Sequence, residues 1–515
     1  MPRINYTTIT NDFIKDGFFS EYLPPCFSIY DDFEPCSVSL ADANDYIEPM
    51  SFNMSRFTED GKRRTIYIPE FASYIKVVKY MKDNDLVKDI ITLSNSQHSF
   101  SPLIQKNGDL TRHERCYNYG ITIDDADQDA FKSTYIPNIV EKICRGKGAK
   151  GVLSLDIANF YPSIYTHLIP CIKLGYEYAE KQYKMTKANN ADPNIKDEYR
   201  KYVCLDEFIR NMNVGRTNGI LPGTLISQFV AEAILSRIDN DLEELGINFV
   251  RYVDDFEIYI YNEQEIHKIQ NDVSKILNKY SLTLNNEKTK YNPFPYYVIE
   301  NLEKIYYEYL ERISDETDFM ELFNKFLKLE SNGTKGAIRF LVKSLSETFT
   351  SPNDELFLSY LFNILVNDSR SLVKVCELLI ERNVELTNNS DNVKLIENLI
   401  EKNVIDNNQL ETVWLLYLRK KLFNKKISTK LGNMIATSNN ELAKLILIEE
   451  FGRNLTKTAK RKIIESASSW LLCYQLFYHN PITKEEFSNK THISKNLSFY
   501  ARLKRKNFSF YKIEN

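Results

Sequence analysis

The sequence is poor in the residues that build zinc sites and disulfide frameworks. Its 515 residues include 8 cysteines and 6 histidines, with no Cys-x-x-Cys pair and no histidine spacing typical of metal ligands. We therefore expect the cysteines to be reduced core residues of a cytoplasmic protein. No apolar run approaches the length of a membrane helix and the N-terminal residues lack a signal-peptide pattern, so we expect no membrane association.

Glycine is also scarce, and there is no excess of positive charge. The chain has 16 glycines against 33 tyrosines and 30 phenylalanines, which argues against a largely disordered protein. Lysine and arginine total 66, aspartate and glutamate total 70, and the formal net charge is −4. A protein that grips a long duplex normally has a basic surface, so this balance predicts that a long template–primer duplex is not tightly held.

What the sequence does contain is a pair of adjacent carboxylates inside the apolar segment 249–260. Aromatic and β-branched residues flank Asp254 and Asp255 on both sides, which predicts a β-hairpin with the carboxylates at its tip. Two neighbouring carboxylates repel each other, and divalent cations relieve that repulsion. The alternative is a hairpin whose turn is acidic for no functional reason, since aspartate is a common turn residue.

A third carboxylate ends an earlier apolar segment. The pattern from Gly151 to Asp156 predicts a buried strand, and the aromatic pair Phe160-Tyr161 follows it. Mg²⁺ prefers oxygen ligands, and two such ions can stabilise both the attacking and the leaving oxygen of a phosphoryl transfer. Three aspartates at strand ends therefore suggest a two-metal site.

A glycine-containing loop lies between these two segments. It includes Gly219 and Gly223 and leads through Ser227 into the apolar-periodic run 229–238, which predicts a helix. After the hairpin, Lys288 lies in a short polar segment that the order of elements places near the same centre.

The order and spacing of these four elements resemble the palm of reverse transcriptases. The matching stretches are Asp156 with Phe160-Tyr161 (motif A), Gly219-x-x-x-Gly223-x-x-x-Ser227 (motif B), Tyr252-Val253-Asp254-Asp255 (motif C) and Leu284-Asn285 with Lys288-Thr289 (motif D). The stretches Asn159 to His167, Gly215 to Gly219 and Ala231-Glu232 narrow the resemblance to the abortive-infection and defence-associated reverse transcriptases of bacteria.

This resemblance implies four catalytic residues. Asp156, Asp254 and Asp255 would be the ligands of two Mg²⁺ ions, with Mn²⁺ as an alternative metal. Lys288 resembles the lysine near the pyrophosphate leaving group, where it would neutralise charge or donate a proton.

The resemblance also implies nucleotide-binding roles for Arg64, Tyr161, Gly223 and Ser227. Arg64 matches the Arg-x-Ile-x-x-Pro fingers element, in which basic side chains neutralise phosphate oxygens. A solvated strand edge is an equal alternative for any one of Lys62, Arg63 and Arg64. Tyr161 matches the steric gate that excludes a 2′-hydroxyl, which implies a deoxynucleotide substrate, although simple core packing would also explain it.

Motif B departs from the usual reverse-transcriptase pattern at one position. Pro222 stands where motif B usually has glutamine, which puts ordinary templating in doubt.

After about residue 300 the strand signals stop and amphipathic helices follow. The segments 379–384 and 399–404 echo each other, which is typical of paired helices in HEAT-like arrays.

We therefore predict an α+β fold of three parts. These are an N-terminal region with fingers at 1–150, a palm of the right-hand, reverse-transcriptase type at 151–300, and an all-α, HEAT-like domain at 301–515.

The predicted function is that of a metal-dependent DNA polymerase that adds dNTPs without a template. Its primer would be a protein tyrosine that stays covalently attached to the DNA product, and the protein would act as a homo-oligomer in bacterial abortive-infection phage defence. The alternatives are a conventional polymerase on an RNA or DNA template, as in RNA-templated retrons, and a non-catalytic nucleic-acid-binding module.

Overall fold

The computed structural model describes residues 4–29, 40–54, 63–94, 96–104, 135–297, 300–345, 349–381, 390–423 and 426–512. Three basic residues, Lys62, Arg63 and Arg64, form the predicted basic fingers turn. Lys62 lies outside the described ranges, whereas Arg63 and Arg64 lie within them. None of the helices in the described ranges has the length and apolar character needed to cross a membrane.

The described part of the first 300 residues contains two antiparallel sheets. Strand β1 (Met50–Asn53) pairs with β2 (Thr65–Ile68), and this small sheet carries the fingers element. A four-stranded sheet has the order β4–β5–β3–β6, made of β3 (Gly151–Asp156), β4 (Phe249–Tyr252), β5 (Asp255–Ile260) and β6 (Lys290–Pro293). The predicted strand before Asp156 and the predicted hairpin are both confirmed.

Side chains of the four-stranded sheet point alternately to its two faces. Leu153, Leu155 and Phe256 point into the main core and are no more than 2% exposed. Asp156 and Asp255 lie on the opposite face, at the end of the sheet where β3 meets β5.

Helices surround the sheets. In chain order they are α1 (Tyr6–Lys15), α2 (Phe71–Asp83), α3 (Leu86–Leu93), α4 (Tyr135–Arg145), α5 (Phe160–Ser163), α6 (Cys171–Leu174), α7 (Tyr176–Ala188), α8 (Asp197–Met212), α9 (Leu225–Glu244) and α10 (Ile266–Lys279). Helix α9 confirms the helix predicted at 229–238, and it is buried along most of its length. Thr224 begins α9 as its N-cap.

From residue 300 onward the described elements are helices. Their bounds are Leu302–Leu310, Glu316–Ser331, Ala337–Ser344, Asp354–Asn367, Leu372–Glu381, Ser390–Ile405, Gln409–Leu422, Thr429–Thr437, Glu441–Phe451, Lys457–Ser466, Trp470–Tyr478, Lys484–Thr491 and Leu497–Arg505. The predicted change to helices is thus confirmed in the described part of the chain. The HEAT-like arrangement and the domain limits at 150 and 300 stay predictions.

The C-terminal helices pack directly on the fingers sheet. The Trp470 indole Nε1 donates to the Ile68 carbonyl at 3.2 Å, and Arg63 forms a two-bond ion pair with Glu411 at 2.9 and 3.0 Å. Buried residues from α1 to the last helices form one contiguous hydrophobic core. The fingers strand β2 is therefore held from the C-terminal side as well as by β1.

The prediction that the cysteines are core residues is wrong at two of the described positions. Cys26, Cys171, Cys376 and Cys473 are buried, but the two others described, Cys144 and Cys204, are exposed. These two lie on α4 and α8 at positions that the helices turn toward solvent, which a count of cysteines does not indicate.

Candidate active site

Three carboxylates meet at one end of the four-stranded sheet. Asp156 ends β3 and lies directly opposite Asp255, the first residue of β5, in the antiparallel register. Asp254 occupies the two-residue turn that joins β4 to β5, and its carbonyl accepts a hydrogen bond from the Ile157 N–H at 3.3 Å. Residues almost one hundred positions apart in the sequence are thus brought together by strand pairing.

The turn that carries Asp254 has an unusual backbone. Val253 has a φ of +53°, a left-handed conformation that is rare for a β-branched residue. Two-residue hairpin loops require a positive φ because it matches the twist of the strands, and glycine or asparagine normally supplies it. Here valine adopts it, so the surrounding structure must hold the turn.

Asp156 is the most heavily engaged of the three carboxylates. It is 5% exposed, and its Oδ2 accepts from Asn285 Nδ2 at 3.0 Å and pairs with Lys288 Nζ at 2.9 Å. The Asn285 N–H also donates to the Asp156 carbonyl at 2.8 Å. The segment resembling motif D is therefore fixed against the end of β3, and it brings Lys288 to the site as predicted.

The electrostatics of the site favour a cation. Burial, and then the neighbouring carboxylates of Asp254 and Asp156, raise the pKa of Asp255 to about 6. Burial also raises the pKa of Asp254, and Asp156 adds to that rise, while the positive charges of Arg64 and Lys288 oppose it. A group of partly buried like charges is destabilised unless positive charge accompanies it.

The donor set suits divalent cations, but the three carboxylates are not gathered around one point. No group of three or more histidine, cysteine, aspartate or glutamate side chains in the described ranges is arranged as a ready metal site. Lys288 instead places its ammonium group on Asp156. Two of the three carboxyl groups have a raised pKa and the third is paired with Lys288. Such a group of oxygen donors at one end of a sheet fits hard cations.

The two described basic residues of the fingers turn have different surroundings. Arg63 points to the C-terminal helices and pairs with Glu411, as noted for the fold. Arg64 is exposed and lies close enough to the site to oppose the pKa rise of both Asp254 and Tyr161. Arg64 is therefore the one that faces the candidate site.

A cavity lies beside the turn that carries Asp254. Tyr161 and Val253 form part of its lining, together with Gln228 and Glu232 from α9. Burial raises the pKa of Tyr161 strongly, with the Asp254 charge adding to it, so the phenol stays neutral. The predicted gate residue thus lines the same cavity as α9, within reach of the Asp254 charge.

The two predicted motif B residues differ in what they contact. The glycine loop (residues 215–224) touches the fingers: the Tyr67 N–H donates to the Pro222 carbonyl at 2.9 Å. A Cβ on Gly223 would lie 2.5 Å from Ile66 Cγ2, so only glycine fits there. Ser227 is 3% exposed and its hydroxyl pairs with Thr224 at 3.0 Å, inside the N-cap of α9.

Several site residues were not predicted from the sequence. Gln228 lines the cavity one position after Ser227, and Asn285 holds Asp156. Gln228 lies beside motif B and Asn285 lies within motif D, so their positions in the sequence already indicated that they are near the site. Ser101 contacts the Val253 N–H at 2.9 Å from a stretch that shows no motif at all.

The comparison with protein families agrees with this geometry. Residues 75–296 match the family described as reverse transcriptase (RNA-dependent DNA polymerase), a range that contains all three aspartates and Lys288. Residues 75–296 are thus similar to a reverse-transcriptase domain. Such a domain implies nucleotidyltransferase activity in general, and domains of this family generally use divalent metal ions, act on nucleic acid and take dNTPs.

Solved structures and curated proteins add little detail. Telomerase from Candida albicans, in complex with a fragment of telomeric RNA, aligns at 13% identity and a TM-score of 0.28, over 81% of this chain and 64% of that one. Telomerase from Candida tropicalis aligns at 12% identity and a TM-score of 0.29, over 79% and 65%. TM-scores this low do not establish a shared fold. No curated protein matches the sequence.

Proposed function

We propose that this protein is a metal-dependent DNA polymerase that adds dNTPs without a template, starting from a tyrosine hydroxyl. The observation that carries the chemistry is the meeting of Asp156, Asp254 and Asp255 at one sheet end, with Asp156 directly opposite Asp255. Domain limits, site residues and metal all follow the sequence predictions given above.

Each side chain has a physical task in this proposal. Asp156, Asp254 and Asp255 would hold two Mg²⁺ or Mn²⁺ ions, which supply positive charge at the attacking and leaving oxygens. Arg64 neutralises the triphosphate, and Tyr161 closes the space beside the sugar against a 2′-hydroxyl. The Lys288 side chain is 59% exposed, so it can turn from Asp156 to the departing pyrophosphate without unpacking the core.

Template independence is supported by the contact between fingers and glycine loop. Strand β2 lies directly on this loop through the Tyr67–Pro222 hydrogen bond and the Ile66–Gly223 contact, at the place where motif B would otherwise present a glutamine. The net charge of −4 also argues against a strongly held duplex. Tyrosine priming, phage defence, homo-oligomers and a bacterial cytoplasmic location are supported by the motif resemblance alone.

A second candidate is an RNA-templated reverse transcriptase. The observation in its favour is the description of the matched family, RNA-dependent DNA polymerase. A non-catalytic nucleic-acid-binding module is the third candidate, and the presence of all three carboxylates argues against it.

The experiment uses the full chain with Mg²⁺ and one labelled dNTP at a time, with no added template or primer. Products are separated on a denaturing protein gel before and after protease treatment. Label that stays with the protein and shifts on proteolysis supports the proposal, and peptide mass spectrometry then finds the tyrosine. Label that appears only with an RNA template and primer supports the second candidate.

Two variants complete this experiment. Asp254→Asn should abolish incorporation, whereas Asp272→Asn, on the surface of α10 and paired only with Lys275 among its described ion pairs, should leave it unchanged. Incorporation that persists in Asp254→Asn would contradict the proposal. Wild-type protein that incorporates no label with or without template would favour the binding module.

A further inference from the structure

Arg251 lies beneath the two-residue turn Val253-Asp254, which we call the catalytic turn, and its side chain is completely buried. It belongs to β4, its side chain is 0% exposed, and all five of its N–H groups have acceptors. Nε and Nη2 donate to the Asp239 carboxylate at 2.8 and 2.7 Å, and Nη1 and Nη2 donate to the Glu232 carboxylate at 2.9 Å each. The remaining N–H of Nη1 donates to the carbonyl of Val253 at 2.9 Å.

The N–H of Val253 is held from the other side by two serines. It donates to Ser101 Oγ at 2.9 Å, and Ser101 Oγ lies 3.4 Å from Ser99 Oγ. Ser99 Oγ donates to Glu232 Oε1 at 2.7 Å, so the proton of Ser101 points to Ser99 and its lone pair is free for Val253. Each group then donates or accepts in one consistent direction.

These contacts close into a ring of five residues, which we call the ring residues. The ring runs from the Val253 N–H through Ser101 and Ser99 to the Glu232 carboxylate, and returns through Arg251 to the Val253 carbonyl. Four of the five are under 10% exposed, and Val253 is the partly buried fifth. In such surroundings hydrogen bonds strengthen one another, and an unpaired member is costly.

The ring holds the backbone of Val253, the turn residue with the unfavourable positive φ. A β-branched residue with φ of +53° is strained, and in a two-residue turn any relaxation of that strain rotates the next residues. The next residues are Asp254 and Asp255. Both polar groups of the Val253 backbone are bound by side chains, so the direction of the two carboxylates depends on the ring.

We propose that Arg251 is the positioning residue of the catalytic turn and that the closed ring, rather than the sequence of the turn, sets the orientation of Asp254 and Asp255. The catalytic consequence rests on the proposed polymerase function, whereas the structural part does not.

Three variants of the full-length chain test this proposal. Arg251→Lys keeps the charge but offers one nitrogen in place of three, and Ser101→Ala deletes both the acceptor of the Val253 N–H and the contact with the Ser99 hydroxyl. Arg419→Lys is the matched control, because Arg419 is 1% exposed and pairs with Glu397 in the C-terminal helices, away from the site. Amide hydrogen exchange of Val253 is measured in metal-free protein, and kcat and KM for a dNTP are measured with Mg²⁺.

In both ring variants the Val253 amide should exchange faster than in the wild type, and in Arg419→Lys it should not. We expect kcat to fall about 10–100-fold, as for other residues that orient metal ligands, with KM for the dNTP little changed. The double variant Ser101→Ala/Arg251→Lys should lose no more than the worse single variant, because one break already opens the ring.

Unchanged Val253 exchange in the ring variants would overturn the proposal, as would an equal loss of kcat in Arg419→Lys. If Arg251→Lys does not fold, Ser101→Ala decides alone, and wild-type exchange in that variant overturns the ring. If the wild type incorporates no dNTP under any condition, the polymerase function fails while hydrogen exchange still decides whether the ring holds the turn.

Discussion

Replacing Gly223 by alanine should separate the fingers from the glycine loop with a single methyl group. The new Cβ would lie 2.5 Å from Ile66 Cγ2 and 3.0 Å from the Tyr67 carbonyl oxygen. Ordinary carbon–carbon contacts are about 3.5–4.0 Å, so β2 must retreat by about 1 Å or more. That displacement breaks the hydrogen bond from the Tyr67 N–H to Pro222 and moves Arg64, three positions before Tyr67, away from the site.

The magnitude follows from these distances. A displacement of this size in a positioning element costs about 10²-fold in rate, so kcat/KM for a dNTP should fall by that factor, mainly through KM. Alanine at the Gly223 φ of +124° adds strain of about 1–3 kcal/mol to the folded state. The assays are steady-state dNTP incorporation and urea unfolding.

Gly246→Ala is the matched control for Gly223→Ala. Gly246 also has a positive φ, +71°, but no atom of the described residues lies within 4 Å of the position that its Cβ would take, so this variant carries backbone strain without a collision. We expect it to lose stability and keep kcat/KM. Wild-type kcat/KM in Gly223→Ala, or an equal loss in Gly246→Ala, would refute the role assigned to the contact between β2 and the glycine loop.

Three further predictions concern other parts of the chain. Tyr161→Ala should lower the preference for dCTP over CTP about 10–100-fold in the ratio of kcat/KM values; an unchanged ratio would show that Tyr161 only packs. Glu411→Ala should lower the free energy of unfolding in urea by about 1–3 kcal/mol because it removes the ion-pair partner of Arg63, whose side chain is 20% exposed. A charge-swapped pair that recovers none of the loss would argue against the ion pair. Burial raises the pKa of Asp45, but backbone N–H groups at Ser494 to Asn496 outweigh it and hold that pKa below its usual value. The stabilisation from Asp45 is therefore present above the unfolded pKa near 3.8 and disappears as pH falls below that value. The stability difference between wild type and Asp45→Ala should be constant from about pH 5 to 8 and shrink below about pH 4, and a difference independent of pH would contradict this.

The elements of the site were predictable, and their register was not. The apolar run around Asp254 and Asp255 predicts a hairpin because β-branched and aromatic residues alternate there, and the buried segment before Asp156 predicts a strand. That Asp156 lies opposite Asp255 depends on the pairing of β3 with β5. No local pattern specifies such a pairing across about one hundred residues.

Ser227 shows how a motif can suggest one role and local chemistry another. Its position in motif B predicts a nucleotide contact, which stays a prediction. In the structure its N–H and hydroxyl both contact Thr224, the N-cap of α9. A threonine directly before an apolar-periodic run is a recognisable N-cap pattern, so the capping role of Thr224 was open to sequence reasoning.

Contacts between distant parts of the chain were beyond sequence reasoning. Arg63 and Glu411 are 348 positions apart, and each looks like an ordinary surface charge in its own segment. The same holds for Arg251, whose neighbours Tyr252 to Asp255 attract attention while the arginine itself carries no motif role. Its importance appears only when Glu232, Asp239 and Ser99 are seen around it.

The contact between the two ends of the described chain has a consequence for biosynthesis. Phe27 bridges to Tyr511, and the Lys512 N–H donates to the Cys26 carbonyl at 2.7 Å. A ribosome makes Cys26 long before Lys512, so the segment around Cys26 stays uncovered until the segment around Lys512 has emerged. The segment around Cys26 therefore reaches its final packing only after residue 512 has been made, and a fragment trimmed to the matched residues 75–296 would lack both sides of this contact.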